Sequence, residues 1–313
     1  MSRGDKKMHK ECILSVEDLV IQFNMYKGFK KQDLEVIHQL SLEVYEGEIV
    51  AVVGSSGSGK SLLAHAILNL LPQNAKVQGK ISYKGKRLDE AACKKILGRE
   101  IAFIPQSVNY LDPLMKVGKQ VTGVFSKKER MEELFDRYQL NQDTAEKYPF
   151  QLSGGMARRV LISAAVMEKP KLIIADEPTP GLNLEMAMET LNHFRQLADE
   201  GAAVLMITHD IDLALHVADR IAVFYAGTIV ESAPVADFLA GKEALRHPYS
   251  RAFIEALPQN EFKPIQGTQP YAGNLPLGCV FAERCPYCDE HCSMKAVEVR
   301  TIREGKVRCI HAT

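Results

Sequence analysis

Apolar and polar residues alternate over two stretches near the start of the chain, and a continuous apolar run follows them. Residues 13–23 and 36–46 alternate enough to predict two antiparallel strands joined by a loop rich in lysine and glycine. Residues 48–53 (EIVAVV) are almost all apolar, which indicates a strand buried on both faces. A hairpin pattern over 76–88 and a short strand that ends at Pro105 follow. The front of the chain therefore predicts antiparallel strands beside one buried strand.

Helical spacing begins where the buried strand ends. After a break at 54–61, apolar residues recur at Leu62, Ala66 and Leu70, as on one face of a helix. The chain turns polar and helical from about 107 to 150. Strands and helices then alternate in the segments KLIIAD, AMETLNHFRQLADE, AAVLMITHD, DLALHVADR and IAVFYAG. This order predicts an α/β fold with a helical insertion and an additional antiparallel region at the front.

The last part of the chain has a different composition. Four prolines and little periodicity mark 257–276 as a predicted linker. The cysteines that crowd the segment after it are Cys279, Cys285, Cys288, Cys292 and Cys309. In a reducing compartment such a cluster indicates a metal or iron–sulfur site rather than a disulfide framework.

The charge balance narrows the choice of partners. The chain has 39 basic and 39 acidic side chains and a formal net charge of zero, which removes the usual electrostatic argument for nucleic acid or an anionic membrane surface as the main partner. No apolar run approaches the roughly 18 residues of a transmembrane helix, and the start, MSRGDKKMHKE, lacks the apolar segment of a secretion signal. We therefore expect a cytosolic protein that meets the membrane through partners.

A glycine-rich loop after the buried strand matches the phosphate-binding pattern G-x-x-x-x-G-K-[ST] in full. Its residues are Gly54, Ser55, Ser56, Gly57, Ser58, Gly59, Lys60 and Ser61. Glycines let main-chain N–H groups turn around phosphate oxygens, and the helix N-terminus adds its positive dipole end. We expect Lys60 to reach the β- and γ-phosphates of a nucleotide and Ser61 to bind Mg²⁺. The strand before and the helix after disfavour the alternative of an ordinary Gly/Ser turn.

An acidic pair follows a second apolar strand. Asp176 and Glu177 come at the C-terminal end of KLIIAD, and ligands of doubly wound sheets sit at that edge. Asp176 is expected to hold Mg²⁺ through water, and Glu177 to polarise the attacking water as a general base. The alternative is that the pair only caps the following helix.

A short motif about twenty residues before the acidic pair narrows the family. The segment 152–156 (LSGGM) resembles the LSGGQ signature of ABC ATPases, and the resemblance covers about 10–260. Ser153 is expected to cap a helix whose open N–H groups suit an anion. The resemblance implies that Ser153, Gly154 and Gly155 meet the γ-phosphate of an ATP held by the P-loop of a facing subunit.

The resemblance also implies an architecture. A P-loop NTPase core of the ABC type is expected over 10–258, with an antiparallel β subdomain and a helical subdomain at about 107–168. A small cysteine-rich C-terminal extension is expected at 259–313.

Further positions are implied by the same resemblance. Gln106, after the strand REIAFIP, resembles the Q-loop glutamine, which touches Mg²⁺ and water and couples to the transmembrane partner. His209 in MITHD resembles the switch histidine that contacts the γ-phosphate; taken alone, it reads as a packed core residue. Phe23 resembles the aromatic residue that stacks on adenine, with Tyr26 and Phe29 as rivals in the same loop.

One position departs from the family pattern. The D-loop, usually S/T-A-L-D, reads PGLN at 180–183, so Asn183 replaces the aspartate. The carboxylate that helps to organise the facing site is therefore missing. The substitution raises the question whether both composite sites hydrolyse ATP equally well.

Three stretches resemble the oligopeptide, dipeptide and nickel importer ATPases in particular. They are YPFQLSGGM, HPYSRAFIEALP and GCVFAERC with the cysteines that follow it. In some members that cysteine motif holds a [4Fe–4S] cluster, which implies Cys279, Cys285, Cys292 and Cys309 as its ligands. Four thiolates suit such a cluster. Cys288 adds Cys285-x-x-Cys288, which could equally begin a zinc site, and a set of unligated thiols is the third option.

These features together predict an ATP-binding and ATP-hydrolysing subunit that energises an importer of peptides or nickel-type metal chelates. The implied partners are a second ATPase subunit in a heterodimer, two transmembrane permeases and an extracytoplasmic substrate-binding protein, with no nucleic acid. The expected location is peripheral, at the cytoplasmic face of the membrane. The rivals are a soluble ABC ATPase outside transport, which usually has two fused cassettes or a coiled coil, and a small-molecule kinase, which leaves LSGG unexplained.

Overall fold

The structure, a computed structural model, describes residues 10–27, 30–55, 57–123 and 128–313. Its strands, numbered in chain order, are β1 (Cys12–Lys27), β2 (Lys30–Tyr45), β3 (Ile49–Val53), β4 (Ala75–Tyr83), β5 (Lys86–Arg87), β6 (Ile101–Ile104), β7 (Leu172–Asp176), β8 (Ala203–Thr208), β9 (Arg220–Tyr225), β10 (Thr228–Pro234), β11 (Arg300–Ile302) and β12 (Gly305–Val307). Its helices are α1 (Lys60–Ile67), α2 (Glu90–Ile96), α3 (Val117–Thr122), α4 (Lys128–Arg137), α5 (Gly154–Val166), α6 (Leu184–Asp199), α7 (Ile211–Val217), α8 (Val235–Leu239), α9 (Pro248–Glu255) and α10 (Glu290–Met294).

The chain divides into two compact units, and each is described by itself. The first unit takes in the described residues of 10–15, 43–49 and 82–206. Its strands β8, β7 and β6 lie in that order, and β6 pairs with β7 in parallel, with Ile101 opposite Leu172. β7 is buried along its whole length, as a parallel strand covered on both faces requires. α3, α4 and α5 pack on one another in the same unit.

The second unit takes in 16–42, 50–81 and 207–313. Its larger sheet has the order β11-β12-β10-β9-β3, in which β3 and β9 are parallel and the other pairs antiparallel. The long strands β2, β1 and β4 lie side by side in a separate sheet. β3 is buried at every residue, as its apolar sequence predicts.

Most predicted elements are confirmed. Both front strands, the buried strand, the hairpin formed by β4 and β5 and the alternation from β7 onward are present. Across the predicted linker, 257–276, the structure has no α-helix or strand, only one short 3₁₀ turn. The two units do not follow the predicted boundary between 258 and 259, and that boundary stays a prediction. In the described ranges, none of the helices has the length and apolar character that crossing a bilayer demands.

Candidate functional site

The phosphate-binding loop lies between β3 and α1, where the motif predicts it. Gly57 and Gly59 have φ angles of 72° and 100°, a left-handed conformation that glycine adopts without steric cost. Lys60 is the first residue of α1 and is only 5% exposed. Its ammonium group donates hydrogen bonds to the main-chain oxygens of Gly54 and Ser55, at 2.9 and 2.8 Å. The lysine is therefore fixed against the loop that is expected to hold the phosphates.

Two further features suit this loop to a phosphate ligand. A Cβ added at Gly54 would collide with the main-chain oxygen of Phe224 on β9, so only glycine lets the loop leave the sheet here. The Ser58 hydroxyl is buried and has no hydrogen-bond partner among the residues that the structure describes. Buried polar atoms are normally paired, so a phosphate oxygen is a fitting partner for this one.

The loop also meets a residue that the sequence does not point to. The Ser55 hydroxyl donates a hydrogen bond of 3.3 Å to the side-chain oxygen of Gln269, in the proline-rich segment more than two hundred residues later. That segment is held in turn by Arg284, which donates to the main-chain oxygens of Ile265 and Gln266. No local pattern marks Gln269, because the contact depends on the fold of the whole second unit.

The acidic pair belongs to the first unit. Asp176 ends β7 and Glu177 follows it, and both are buried, at 2% and 6% exposure. Glu177 has a φ angle of 49°, which costs energy for a residue other than glycine. The alternative of a helix cap is wrong for this pair, because the next helix, α6, is capped by Asn183.

Gln106 directly follows the end of β6, and its side chain is exposed. Its main chain, by contrast, is held by a buried side chain. The guanidinium group of Arg158, on α5, donates to the main-chain oxygens of Pro105 and Gln106. Burial lowers the pKa of the same arginine, and the negative charges of Asp176 and Glu177 raise it. Sequence reasoning missed Arg158; the available signal was an arginine on the apolar face of the helix, at helical spacing from Ile162 and Val166.

The SGG segment begins α5, as predicted. The Ser153 hydroxyl caps the helix by accepting a hydrogen bond of 3.3 Å from the N–H of Met156. Ser153 and Gly154 are exposed, and a Cβ at Gly155 would lie 3.2 Å from the main-chain oxygen of Gly181. The signature segment and the D-loop are therefore neighbours in the first unit.

Asn183 has a structural role of its own. Its side-chain oxygen accepts a hydrogen bond of 2.8 Å from the N–H of Met186 and caps α6. Asparagine and aspartate are about equally good caps, so the departure from the D-loop pattern keeps the helix start intact and removes only the negative charge.

The other predicted residues lie in the second unit. His209 follows β8 and is exposed, so the reading as a packed core residue is wrong. Phe23 lies in β1 and is half-buried. Phe29 and Ser56 fall outside the described residues, and the side chain of Tyr26 is not described either. Lys60, Ser61, His209 and Phe23 thus belong to one unit, whereas Gln106, Ser153, Asp176 and Glu177 belong to the other.

The C-terminal cysteines converge in the second unit. In the described part of the chain, none of these five cysteines forms a disulfide. Cys279 and Cys285 each lie within electrostatic range of Cys292 and Cys309, and the N–H of Cys279 donates to the main-chain oxygen of Cys292 at 2.7 Å. Burial raises the pKa of Cys279 to about 11 and also raises the pKa of Cys309. Without a cation these thiols stay protonated at neutral pH, and a bound metal would favour their thiolates.

A different group near these cysteines has metal-binding geometry. One ligand atom each of Asp289, Cys292 and His311 lie within 4.8 Å of one another, the one such group of three found in the described part of the chain. Asp289 also caps α10 and accepts a contact of 3.2 Å from His311, so the group has a structural explanation. The expected zinc ligand Cys288 is not a member of it.

The fold and these motifs define a P-loop ATPase cassette with a signature helix. Among solved structures, the chain is similar to the "Dimeric structure of a post-hydrolysis state of the ATP-binding cassette MJ0796 bound to ADP and Pi". The TM-score is 0.64 and the identity 26%, over 71% of this chain and 99% of that one. A second dimeric structure of the same cassette gives a TM-score of 0.63 at 27% identity, with the same coverage.

Sequence comparison identifies the family. The "ABC transporter" family model matches residues 37–180, and the model "Oligopeptide/dipeptide transporter, C-terminal region" matches 230–292. The chain is 31% identical to the dipeptide transport ATP-binding protein DppD of Haemophilus influenzae, over 95% of each chain. It is 35% identical to the oligopeptide transport ATP-binding protein OppD of Bacillus subtilis, over 88% of this chain and 82% of that one. The chain belongs to the ABC transporter family, as one of its ATP-hydrolysing subunits.

Proposed function

We propose that this chain is the ATP-binding subunit that powers an ABC importer of dipeptides or oligopeptides. The observation that carries the proposal is the complete P-loop between β3 and α1, with the Lys60 ammonium group fixed against it. The relatives named above support the cargo class, since dipeptide or oligopeptide transport stands in their names. None of those names refers to nickel, so a nickel-type chelate is the weaker choice of cargo.

The residues have separate tasks in the proposed reaction. Main-chain N–H groups of the P-loop and Lys60 would bind the phosphates, while Ser61, Asp176 and Gln106 would hold Mg²⁺, directly or through water. Mg²⁺ would supply charge neutralisation on the phosphate oxygens. The oxygen donors of this set suit a hard cation. Glu177 accepts a proton from the attacking water, and His209 contacts the γ-phosphate. Phe23 stacks on the adenine.

The proposed site is composite. The exposed N-terminus of α5, with Ser153 and the two glycines after it, offers N–H groups to an anion from outside the chain. A second cassette places its ATP there and receives this chain's ATP on its own SGG segment. We infer a heterodimer with a different ATPase subunit, two permease subunits and an extracytoplasmic binding protein, with this chain peripheral at the cytoplasmic face.

The composite site predicts that the chain alone is a poor ATPase. Its turnover per chain should rise with protein concentration and should increase at least about tenfold when the second cassette and the permeases are added, because only then does the SGG segment reach the γ-phosphate. ATP hydrolysis would be measured across a wide range of concentrations, with and without the partners. Full activity at high dilution, independent of both, would favour the soluble ABC ATPase instead.

We also propose that Cys279, Cys285, Cys292 and Cys309 hold an iron–sulfur cluster. Their convergence as four free thiols fits a four-thiolate group. A zinc ion held by thiolates is the alternative. In either case the bound group would be structural.

Cysteine substitutions test the cluster. Anaerobically purified protein should be brown and contain iron and acid-labile sulfide. A Cys→Ser change at any of the four ligands should bleach it, whereas Cys288→Ser, the matched control, should not. Colourless protein with stoichiometric zinc, lost on Cys288→Ser, would instead establish the zinc alternative.

A further inference from the structure

Arg158 is a buried cation in an unusual setting. It lies on α5, five residues after the capping Ser153, and is only 3% exposed. Two arms of its guanidinium group donate to consecutive main-chain oxygens, those of Pro105 and Gln106. No carboxylate forms an ion pair with it in the part of the chain that the structure describes. Arg158 therefore links the main chain of the Gln106 segment to α5, the helix that begins with the SGG segment.

Burying this charge is costly, and the fold offsets the cost only in part. Burial lowers the pKa of Arg158, whereas the carboxylates of Asp176 and Glu177 raise it. A packed apolar residue would cost less at this position. Since the position shares its helix face with Ile162 and Val166, which are fully buried, packing alone does not explain an arginine there.

The shape of the guanidinium group explains why position 158 is an arginine. A guanidinium group is planar and presents its donors as a rigid fork, which matches two neighbouring carbonyl groups. Both oxygens belong to the segment that carries Gln106. α5 is a continuous helix of 13 residues, so a displacement of its exposed N-terminus moves Arg158 with it.

We propose that Arg158 is a positioning residue that ties Gln106 to the signature helix. When a partner's ATP draws the Ser153 end of α5 toward it, the arginine moves the main chain of Gln106 in the same step. The glutamine of one ATP site thus responds to the nucleotide of the other. The inference rests on the proposed function, because it needs a composite site with two cassettes.

Two substitutions separate this role from a purely structural one. Arg158→Lys keeps the charge but cannot hold both carbonyl groups in one plane, and Arg158→Gln removes the charge as well. The control is Arg308→Lys in the second unit, where a half-buried guanidinium group likewise donates to two main-chain oxygens, of Val297 and Gln39. All three variants are expected to lower the unfolding temperature.

The test uses the complete transporter, with the substrate-binding protein and peptide added to stimulate hydrolysis. In Arg158→Lys, the ratio of stimulated to basal ATPase rate should fall about tenfold, with the dissociation constant for ATP within about twofold of the original. In Arg158→Gln the ratio of stimulated to basal rate should fall further, and in Arg308→Lys it should be unchanged.

Two results would overturn the inference. One is an unchanged ratio in a folded Arg158→Gln complex. The other is an equal loss of ATP affinity and stimulation in the Arg158 and Arg308 variants, which would mark a merely structural arginine. If the original complex does not hydrolyse ATP at all, it is the proposed function that fails.

Discussion

The change Glu177→Gln should reduce ATP turnover by a factor of about 10² to 10⁴, the usual contribution of a general base. An amide has the same shape as the carboxylate but cannot accept the proton of the attacking water. Glutamate and glutamine have the same length and branching, so we expect the backbone to keep its φ of 49°. ATP affinity should therefore persist, and the complex should accumulate in a closed, ATP-bound state. Turnover and nucleotide occupancy of the purified transporter complex measure the two effects separately.

The matched control for this change is Glu189→Gln in the same unit. Glu189 is a carboxylate on α6 that accepts hydrogen bonds from the exposed side chain of Gln139, and its loss should leave turnover within about twofold, as is usual for surface contacts. Near-normal turnover in Glu177→Gln would refute the assignment of the general base. To exclude activity from the opposite site, the measurement is repeated with the second cassette's own general base removed.

The motifs were predictable because each is a run of consecutive residues. The P-loop requires glycines where the backbone turns and a lysine at the helix start, and all of these appear in one stretch of eight residues. Asp176 and Glu177 stand at the end of an apolar strand for the same local reason. The structure adds the strained backbone of Glu177, which no sequence pattern specifies.

Contacts between distant segments were not predictable in the same way. Arg158 appears in the sequence only as one of two adjacent arginines, and its partners, Pro105 and Gln106, lie about fifty residues earlier. Gln269 is similar, since its partner is Ser55. In both cases a side chain meets a distant loop, and the choice of partner follows from the fold of the whole unit rather than from a local period.

The C-terminal segment also makes a long-range contact that the sequence does not predict. The sequence predicts a linker and a small cysteine-rich extension, yet β12 pairs with the edge of β10, with Val307 opposite Glu231. The buried guanidinium group of Arg246 strengthens this attachment by bonding to Glu231 and to the main-chain oxygen of Ile302. Strand pairing at an edge depends on hydrogen-bonding groups that every residue carries, so composition alone does not reveal it.

Lys60→Ala should abolish most nucleotide binding, with a rise of about 100-fold in the dissociation constant for Mg-ATP. The ammonium group is buried and fixed on the P-loop by the main-chain oxygens of Gly54 and Ser55. Hydrogen bonds to charged groups contribute about 1.5–3 kcal/mol each, and each 1.4 kcal/mol changes the constant about tenfold. Equilibrium binding of a fluorescent ATP analogue to the isolated chain measures the effect.

The control for this prediction is Lys80→Ala in the same unit. Lys80 forms an exposed ion pair of 3.3 Å with Glu17 on a neighbouring strand, and such pairs contribute about 0–1 kcal/mol to stability. Its loss should leave ATP affinity unchanged. Because Lys60 also holds the loop itself, the unfolding temperature of both variants is measured, and a folded Lys60→Ala protein with weak binding isolates the effect on the nucleotide. A folded Lys60→Ala protein that binds ATP as tightly as the original chain would show that this loop is not the phosphate site.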